Sequence, residues 1–290
     1  MKNIEVAVID QMGNPGGTML FLASLTQSGH KVKCMNDLFN LYVKANGKAY
    51  DGNAAMARIA ALPHGTIKRF SPITIAVVGA SRRFLAQART HQVGFNYVSA
   101  SLQYSDYSGS TDDQFVIPYA IMQQEVEWSK SFSKPTEEQI RGASPVHHFL
   151  STCANAMKAY GIIAKDTDND TAGYVAPQSL RNVLIMQANH EAWAYFVGLR
   201  ACNRNTVETQ YVALKIWEAL LQTENGKELF KYMGPNCCTG RCREGNMSCL
   251  KKGGSVLHNL PADEYMMKHN VSLPTAIIAT KFPLLTKEGE

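Results

Sequence analysis

No stretch of this 290-residue sequence is long and apolar enough to cross a bilayer. The longest apolar run, residues 73–80, falls far short of the roughly 20 residues a spanning helix needs. The opening Met1-Lys2-Asn3-Ile4-Glu5-Val6 lacks the cationic flank and apolar stretch of a secretory leader. Charged residues are sparse at 18%, and the excess of 29 Lys+Arg over 24 Asp+Glu forms no long basic run. Charge therefore gives no sign of a nucleic-acid partner, and a small anionic ligand suits the mild excess equally well. Seven cysteines, an odd number, make a poor disulfide frame and fit a reducing compartment better. With 21 Gly and 11 Pro the chain is neither collagen-like nor of low complexity. What is present is 45% apolar content, enough to bury a large core. These features read as a cytoplasmic globular enzyme with neither a membrane nor a nucleic-acid partner.

Residues 4–9 alternate weakly about Val6 and Val8 and predict a short strand. It runs into Gly13-Asn14-Pro15-Gly16-Gly17-Thr18, which has the strand–glycine–helix order of a phosphate-cradling turn. The spacing matches neither the dinucleotide nor the P-loop pattern, so an ordinary turn capped by Thr18 is the better reading. Asn46-Gly47 and Asp51-Gly52 mark turns, as does His64-Gly65-Thr66. Residues 69–79 are β-rich, and residues 80–89 have helical spacing with Phe84, Leu85 and Ala88 on one side. Residues 94–108 interleave Phe95, Tyr97, Tyr104 and Tyr107 with serines, an extended polar-lined segment suited to holding a ligand. Helices are predicted over 118–130, 136–160, 177–198 and 207–222, with Thr136-Glu137-Glu138-Gln139 as a capping signal and an acidic loop at 165–171. The sum is one α/β domain, with strands in its first half and helices packed on them.

The informative stretch is Ser81-Arg82-Arg83-Phe84-Leu85-Ala86-Gln87-Ala88-Arg89-Thr90-His91-Gln92, continuing to Ser99-Ala100-Ser101-Leu102-Gln103-Tyr104. It resembles the signature region of the flavin-dependent thymidylate synthases. Asn189 with Leu199-Arg200 is similar to that family's Asn…Leu-Arg helix. Arg200-Ala201-Cys202-Asn203-Arg204 resembles a form found in clostridial-type members. Gly234-Pro235-Asn236-Cys237-Cys238, with Cys242, Glu244-Gly245 and Cys249, resembles their cysteine-bearing tail. The similarity runs from about Ile4 to Cys249. It implies that family's α/β fold, a mixed or antiparallel sheet with packed helices. A synthase-like domain would span residues 1–235 and a cysteine-containing extension residues 236–290.

The resemblance further implies a methyltransferase-class enzyme of dTMP biosynthesis. It would carry a one-carbon unit from methylenetetrahydrofolate to deoxyuridine monophosphate, with FAD, reduced by NADPH, as hydride donor. A homotetramer is implied, each site drawing on several chains. Gln87, Arg89, Ser101, Gln103, Tyr104 and Arg200 match nucleotide-binding positions; His91, Gln92, Asn189 and Arg204 match the flavin side. No residue is singled out as a catalyst. Arginine forks suit such a site because they hold phosphate by oriented, charge-assisted bonds, while the flavin carries the hard chemistry.

The departures are specific. Gln92, Gln103 and Gly173 stand where the family has arginine, Glu191 where another arginine is expected, and Phe70 where a histidine is common. Losing two charge-assisted contacts from one phosphate weakens binding by roughly two to four decades. Arg82, Arg83 and Arg204 lie near enough in sequence to compensate. Two rival readings follow: a divergent paralogue acting on a different pyrimidine nucleotide, and a non-catalytic partner of an active synthase. Cys238, Cys242 and Cys249 offer thiolates to a structural zinc, but at irregular spacing, and a reduced, loop-forming tail is the plainer reading.

Overall fold

The strands β1 (Glu5–Gln11), β2 (Pro72–Ser81), β3 (Phe95–Ser99) and β4 (Arg181–Asn189) form one fully antiparallel sheet in the order β1–β2–β4–β3. They are seen in a computed structural model that describes residues 1–48, 53–61, 65–109, 112–238, 242, 244–249 and 260–286. The turn expected at Asp51-Gly52 and the residue His64 lie outside these. The fold is α/β, with an antiparallel sheet and packed helices, as the resemblance implied.

The central pair β2–β4 sets the register, with Ile75 opposite Met186 and Val77 opposite Leu184. These four side chains, with Ile73 and Ala188, are fully or almost fully buried on one face. Directly opposed residues share a face, so the other face carries Thr74, Ala76, Val78, Val183, Ile185 and Val98. Gly79 interrupts β2 at a bulge with φ of +80°, where a Cβ would stand 2.7 Å from the Asn3 carbonyl oxygen. Only glycine takes that conformation and approach without strain. Arg181 fastens the same corner by donating to the Gly79, Lys2 and Asp113 carbonyls, each at 2.8 Å.

Helices His190–Arg200, Val207–Leu221 and Leu273–Lys281 contribute to the core on the buried face. Trp193 is wholly buried there and donates its indole N–H to the Ile73 carbonyl at 3.1 Å. Ala276, Ile277 and Phe282 join the same core, and Lys281 reaches Asn203 Oδ1 at 2.6 Å and also Gln210. A second core gathers Phe115, Cys153, Met157, Tyr160, Ala172 and Leu180 around the Pro145–Asp166 helix. Among the described residues no helix is long and apolar enough to cross a membrane.

Several local expectations need correction. Residues 177–198 are not one helix: β4 occupies the first part and the His190–Arg200 helix the second. The expected helix over 136–160 divides into Glu137–Ala143 and Pro145–Asp166, because Ser144 precedes a proline and is extended at ψ 121°. The 165–171 loop is shorter than expected, since that second helix runs to Asp166 and a further turn spans Asn169–Ala172. The extended segment narrows to β3. Asn46-Gly47 continues the Met35–Lys48 helix instead of breaking it. The Pro15–Ser28 helix is capped by Asn14, whose Oδ1 accepts from Gly17 N at 2.9 Å, and not by Thr18. Gly16 and Gly17 are buried there against Asn225, Met56 and Asn46, so close packing accounts for them.

Candidate functional site

The segment from Ser81 to Gly94 is positioned from both ends. Ser81 Oγ accepts from Phe84 N at 3.1 Å and so caps the Arg82–Ala88 helix. The Glu208 carboxylate accepts from Ser81 N at 2.7 Å and from Ser81 Oγ at 2.5 Å, tying the cap to the Val207–Leu221 helix. Past the helix, the Tyr97 hydroxyl lies 2.8 Å from the Ala88 carbonyl and 2.7 Å from that of His91, so β3 pins the loop from below. At Gly94 the backbone turns through φ +79°, where a Cβ would stand 3.1 Å from Ala192 Cβ and 3.6 Å from Asn189 Nδ2. Gly94→Ala is therefore expected to cost about 1–2 kcal/mol for the left-handed backbone alone. A lower urea midpoint at unchanged m-value checks this.

Beside this loop opens a cavity of about 660 Å³, within the usual range for small-molecule sites. His91, Gln92, Asn189 and Arg200 line it, as do Arg69, Glu191 and Tyr195. Asn189 caps the His190–Arg200 helix through Oδ1, which accepts from Ala192 N at 2.9 Å, and this holds its amide next to Gly94. Arg200, at the far end of that helix, donates from Nε to His91 Nε2 at 2.8 Å and from Nη1 to Asn205 Oδ1 at 3.0 Å. Its Nη2 donates to the Gln87 carbonyl at 3.2 Å and to Thr90 Oγ1 at 2.7 Å. Four of the five guanidinium N–H groups are thus spent inside the chain. His91 is buried, and burial followed by the Arg200 charge pushes its pKa down to about 4. It is a neutral imidazole at pH 7, accepting at Nε2. Burial pushes the Tyr97 phenol above its usual range.

The remaining candidates lie elsewhere. Ser101, Gln103 and Tyr104 follow the far end of β3, whose five residues, at a rise of about 3.3 Å per step, put roughly 13 Å between its ends. None of the three lines the cavity. Ser101 Oγ accepts from Gln103 N at 3.1 Å, and Tyr104 is 82% exposed. Arg89 points toward this second cluster, donating to Ser99 Oγ at 2.6 Å, with Arg82 within electrostatic range. Leu102 packs over Gly173, where a Cβ would meet its side chain at 3.4 Å. Arg83 lines a separate cavity of about 470 Å³ with Tyr119, Phe149 and Glu208. Arg204 is outside the first cavity as well, with Nε 3.9 Å from Glu244 and Nη2 3.1 Å from Met247 Sδ. Among the described residues no three His, Cys, Asp or Glu side chains converge to hold a metal. Cys238, Cys242 and Cys249 belong to no such group among the described residues.

Sequence reasoning missed Arg69 and Tyr195. Tyr195 had a signal, because Glu191, Tyr195 and Leu199 recur at i, i+4, i+8 on one face of the helix. Arg69, alone before a strand, had none.

The model of the family described as "Thymidylate synthase complementing protein" matches residues 7–223 of this chain. The flavin-dependent thymidylate synthase of Geobacter sulfurreducens is 27% identical over 208 residues, covering 70% of this chain and 78% of the relative. That of Thermococcus kodakarensis is 24% identical over 209 residues, covering 69% and 77%. Among solved structures, the UMP/dUMP methylase PolB from Streptomyces cacaoi, bound with 5-Br dUMP, superposes with a TM-score of 0.55 at 14% identity. That match covers 81% of this chain and 97% of PolB. Thymidylate Synthase X from Helicobacter pylori, with FAD and dUMP, gives 0.51 at 14% identity over 82% and 100%. The structural likenesses speak for the fold alone. The family match, running from within β1 to just past the Val207–Leu221 helix, makes this chain a member of the thymidylate synthase complementing protein family.

Proposed function

We propose that this chain is a flavin-dependent thymidylate synthase, methylating the pyrimidine of a deoxyuridine nucleotide. The observation that carries the reading is the single cavity in which His91, Gln92, Asn189 and Arg200 meet. Its residues suit FAD: Tyr195 offers an aromatic face, Gln92 and the Asn189 amide offer polar contacts, and Gly94 admits close approach of backbone. When bound, reduced FAD supplies the hydride, with NADPH as its reductant and methylenetetrahydrofolate as the one-carbon donor. The chain's part is to position the reactants. Neutral His91 presents no competing cation, and Arg200 holds the 87–91 loop to the helix so that the cavity wall keeps its shape.

The nucleotide side draws on Gln87, Arg89, Ser101, Gln103, Tyr104 and Arg200. The Ser101–Tyr104 turn stands away from the cavity of its own chain, which supports a homotetramer in which one subunit's turn completes another's cavity. The partly exposed sheet face supports the same reading: Val98 is 69% exposed, and Val78 and Val183 are about 40% exposed on the same side. In the reducing cytoplasm the cysteines of the extension would remain thiols. The domain division at 235/236 stays part of this proposal.

Gly173 favours a second reading, because it stands where the family has arginine and brings no cation to the ground beside Leu102. A neighbour in fold is described as acting on UMP as well as dUMP. The test is incubation of purified protein with FAD, NADPH and methylenetetrahydrofolate, with dUMP and UMP supplied separately. Methylated dUMP is the expected product. Methylation of UMP alone would replace the proposal by the second reading, and absence of flavin binding would overturn both.

A further inference from the structure

Glu191 is an unexpected residue for a wall that is to face a flavin nucleotide. The family pattern puts arginine there, and a carboxylate beside a diphosphate is repulsive. The structure shows what accompanies the change. Glu191 sits in the first turn of the His190–Arg200 helix, and its carboxylate accepts from Nε of Arg69, which follows the backbone turn at Gly65. A Cβ on Gly65 would coincide with that carboxylate, so glycine leaves Glu191 its present place against the turn. The pair joins the segment before β2 to the helix after β4, within the cavity wall.

The donors of this wall can be sorted. Arg200 has four of its five N–H groups engaged within the chain, and His91 is neutral. Among the described residues Arg69 is bonded only through Nε. Its side chain is 60% exposed and lines the cavity, which leaves the two terminal nitrogens available to a ligand there. A guanidinium fixed at Nε and open at both Nη atoms has the fork geometry that grips phosphate oxygens.

We propose that Arg69 takes the place of the arginine missing at position 191: it is the cation that binds the flavin's diphosphate, and Glu191 is the positioning residue that aims it. The assignment rests on the flavin reading above, and the experiment separates the two. Flavin-free protein is titrated with FAD and with riboflavin, which carries the same ring system and no phosphate. Arg69→Ala is expected to weaken FAD about ten- to a hundredfold while leaving riboflavin within about twofold. It should also flatten the fall of FAD affinity with added salt. The exchanged double variant, Arg69→Glu with Glu191→Arg, keeps the ion pair and returns arginine to the family's position. It is expected to regain FAD affinity to within a few-fold of the parent. Unchanged FAD affinity in Arg69→Ala, or equal losses of FAD and riboflavin, overturns the assignment. A parent protein that binds neither ligand overturns the flavin reading itself.

Discussion

Arg200→Lys should leave a folded protein with a loosened cavity, less stable by about 3 kcal/mol and at least a hundredfold slower in turnover. The stability figure counts two lost hydrogen bonds to a charged donor at about 1.5 kcal/mol each. Lysine is a compact charge on a flexible stem and cannot reach His91 Nε2, Asn205 Oδ1, the Gln87 carbonyl and Thr90 Oγ1 together. Two or more acceptors must go unserved, and the 87–91 loop loses its tie to the helix. The turnover loss follows because a displacement of about 1 Å in a positioning element can cost a hundredfold. The uncharged variant Arg200→Gln supplies an independent readout. Burial sets most of the depression of the His91 pKa, and the Arg200 charge adds to it. Removing that charge should move the His91 titration upward, visible in its ring-proton shifts. An unmoved titration together with parental turnover would show that Arg200 is a surface residue and not the lock of the site.

Mild acid should destabilise this protein before its carboxylates are protonated. Two imidazoles are held neutral. His91 is one, and His190 is the other, its pKa pushed down to about 4 by burial. His190 stacks on Phe230 at 4.9 Å, with Nδ1 3.0 Å from the Ser71 carbonyl, so Nδ1 carries the proton. Each folded pKa lies below the ordinary 6.5, so the unfolded chain takes up protons that the folded one refuses. Their contribution is complete above pH 6.5 and is lost as pH falls toward 4. The loss is about 1.4 kcal/mol per pH unit for each imidazole in the middle of that window. Backbone N–H groups of Lys33, Ser108 and Thr171 hold the Asp37, Asp106 and Asp168 carboxyls below their usual range. Those groups stay charged through the window and do not add to the loss. Urea midpoints at pH 7.5, 6.0 and 5.0 should fall steadily. Equal midpoints would mean that neither imidazole is buried as described.

Residues 81–104 show why the site was partly legible from sequence. One part of the cavity wall, Thr90 to Gly94, lies within this continuous stretch, and Ser81 at the start of the helix is a recognisable cap. The β4 segment shows the limit. Val183-Leu184-Ile185-Met186 is a continuous apolar run, and Leu, Met, Gln and Ala are good helix formers. Its period of two becomes visible only when Leu184, Met186 and Ala188 are seen buried while Val183 faces outward. A central strand covered on one face and edged with valines on the other does not alternate in composition. The break at Ser144-Pro145 could have been read, since a residue before proline avoids the helical region. The same holds for Asn14-Pro15, where the cap and the first-turn proline stand together. Arg69 could not. Its place in the wall depends on a turn meeting a helix more than a hundred residues away, and on the absence of a side chain at Gly65.

The Leu273–Lys281 helix has a bearing on how the molecule is made. Lys281 ends that helix and grips Asn203, within the turn that follows Arg200, and Gln210, in the helix after it. Ala276 and Ile277 fill the core beneath. A nascent chain halted before this point has its signature residues in hand but not the buttress behind them. The segment that follows Arg200 is therefore backed by the last helix of the described chain, so the residues of the signature and their support are separated by some seventy positions in sequence.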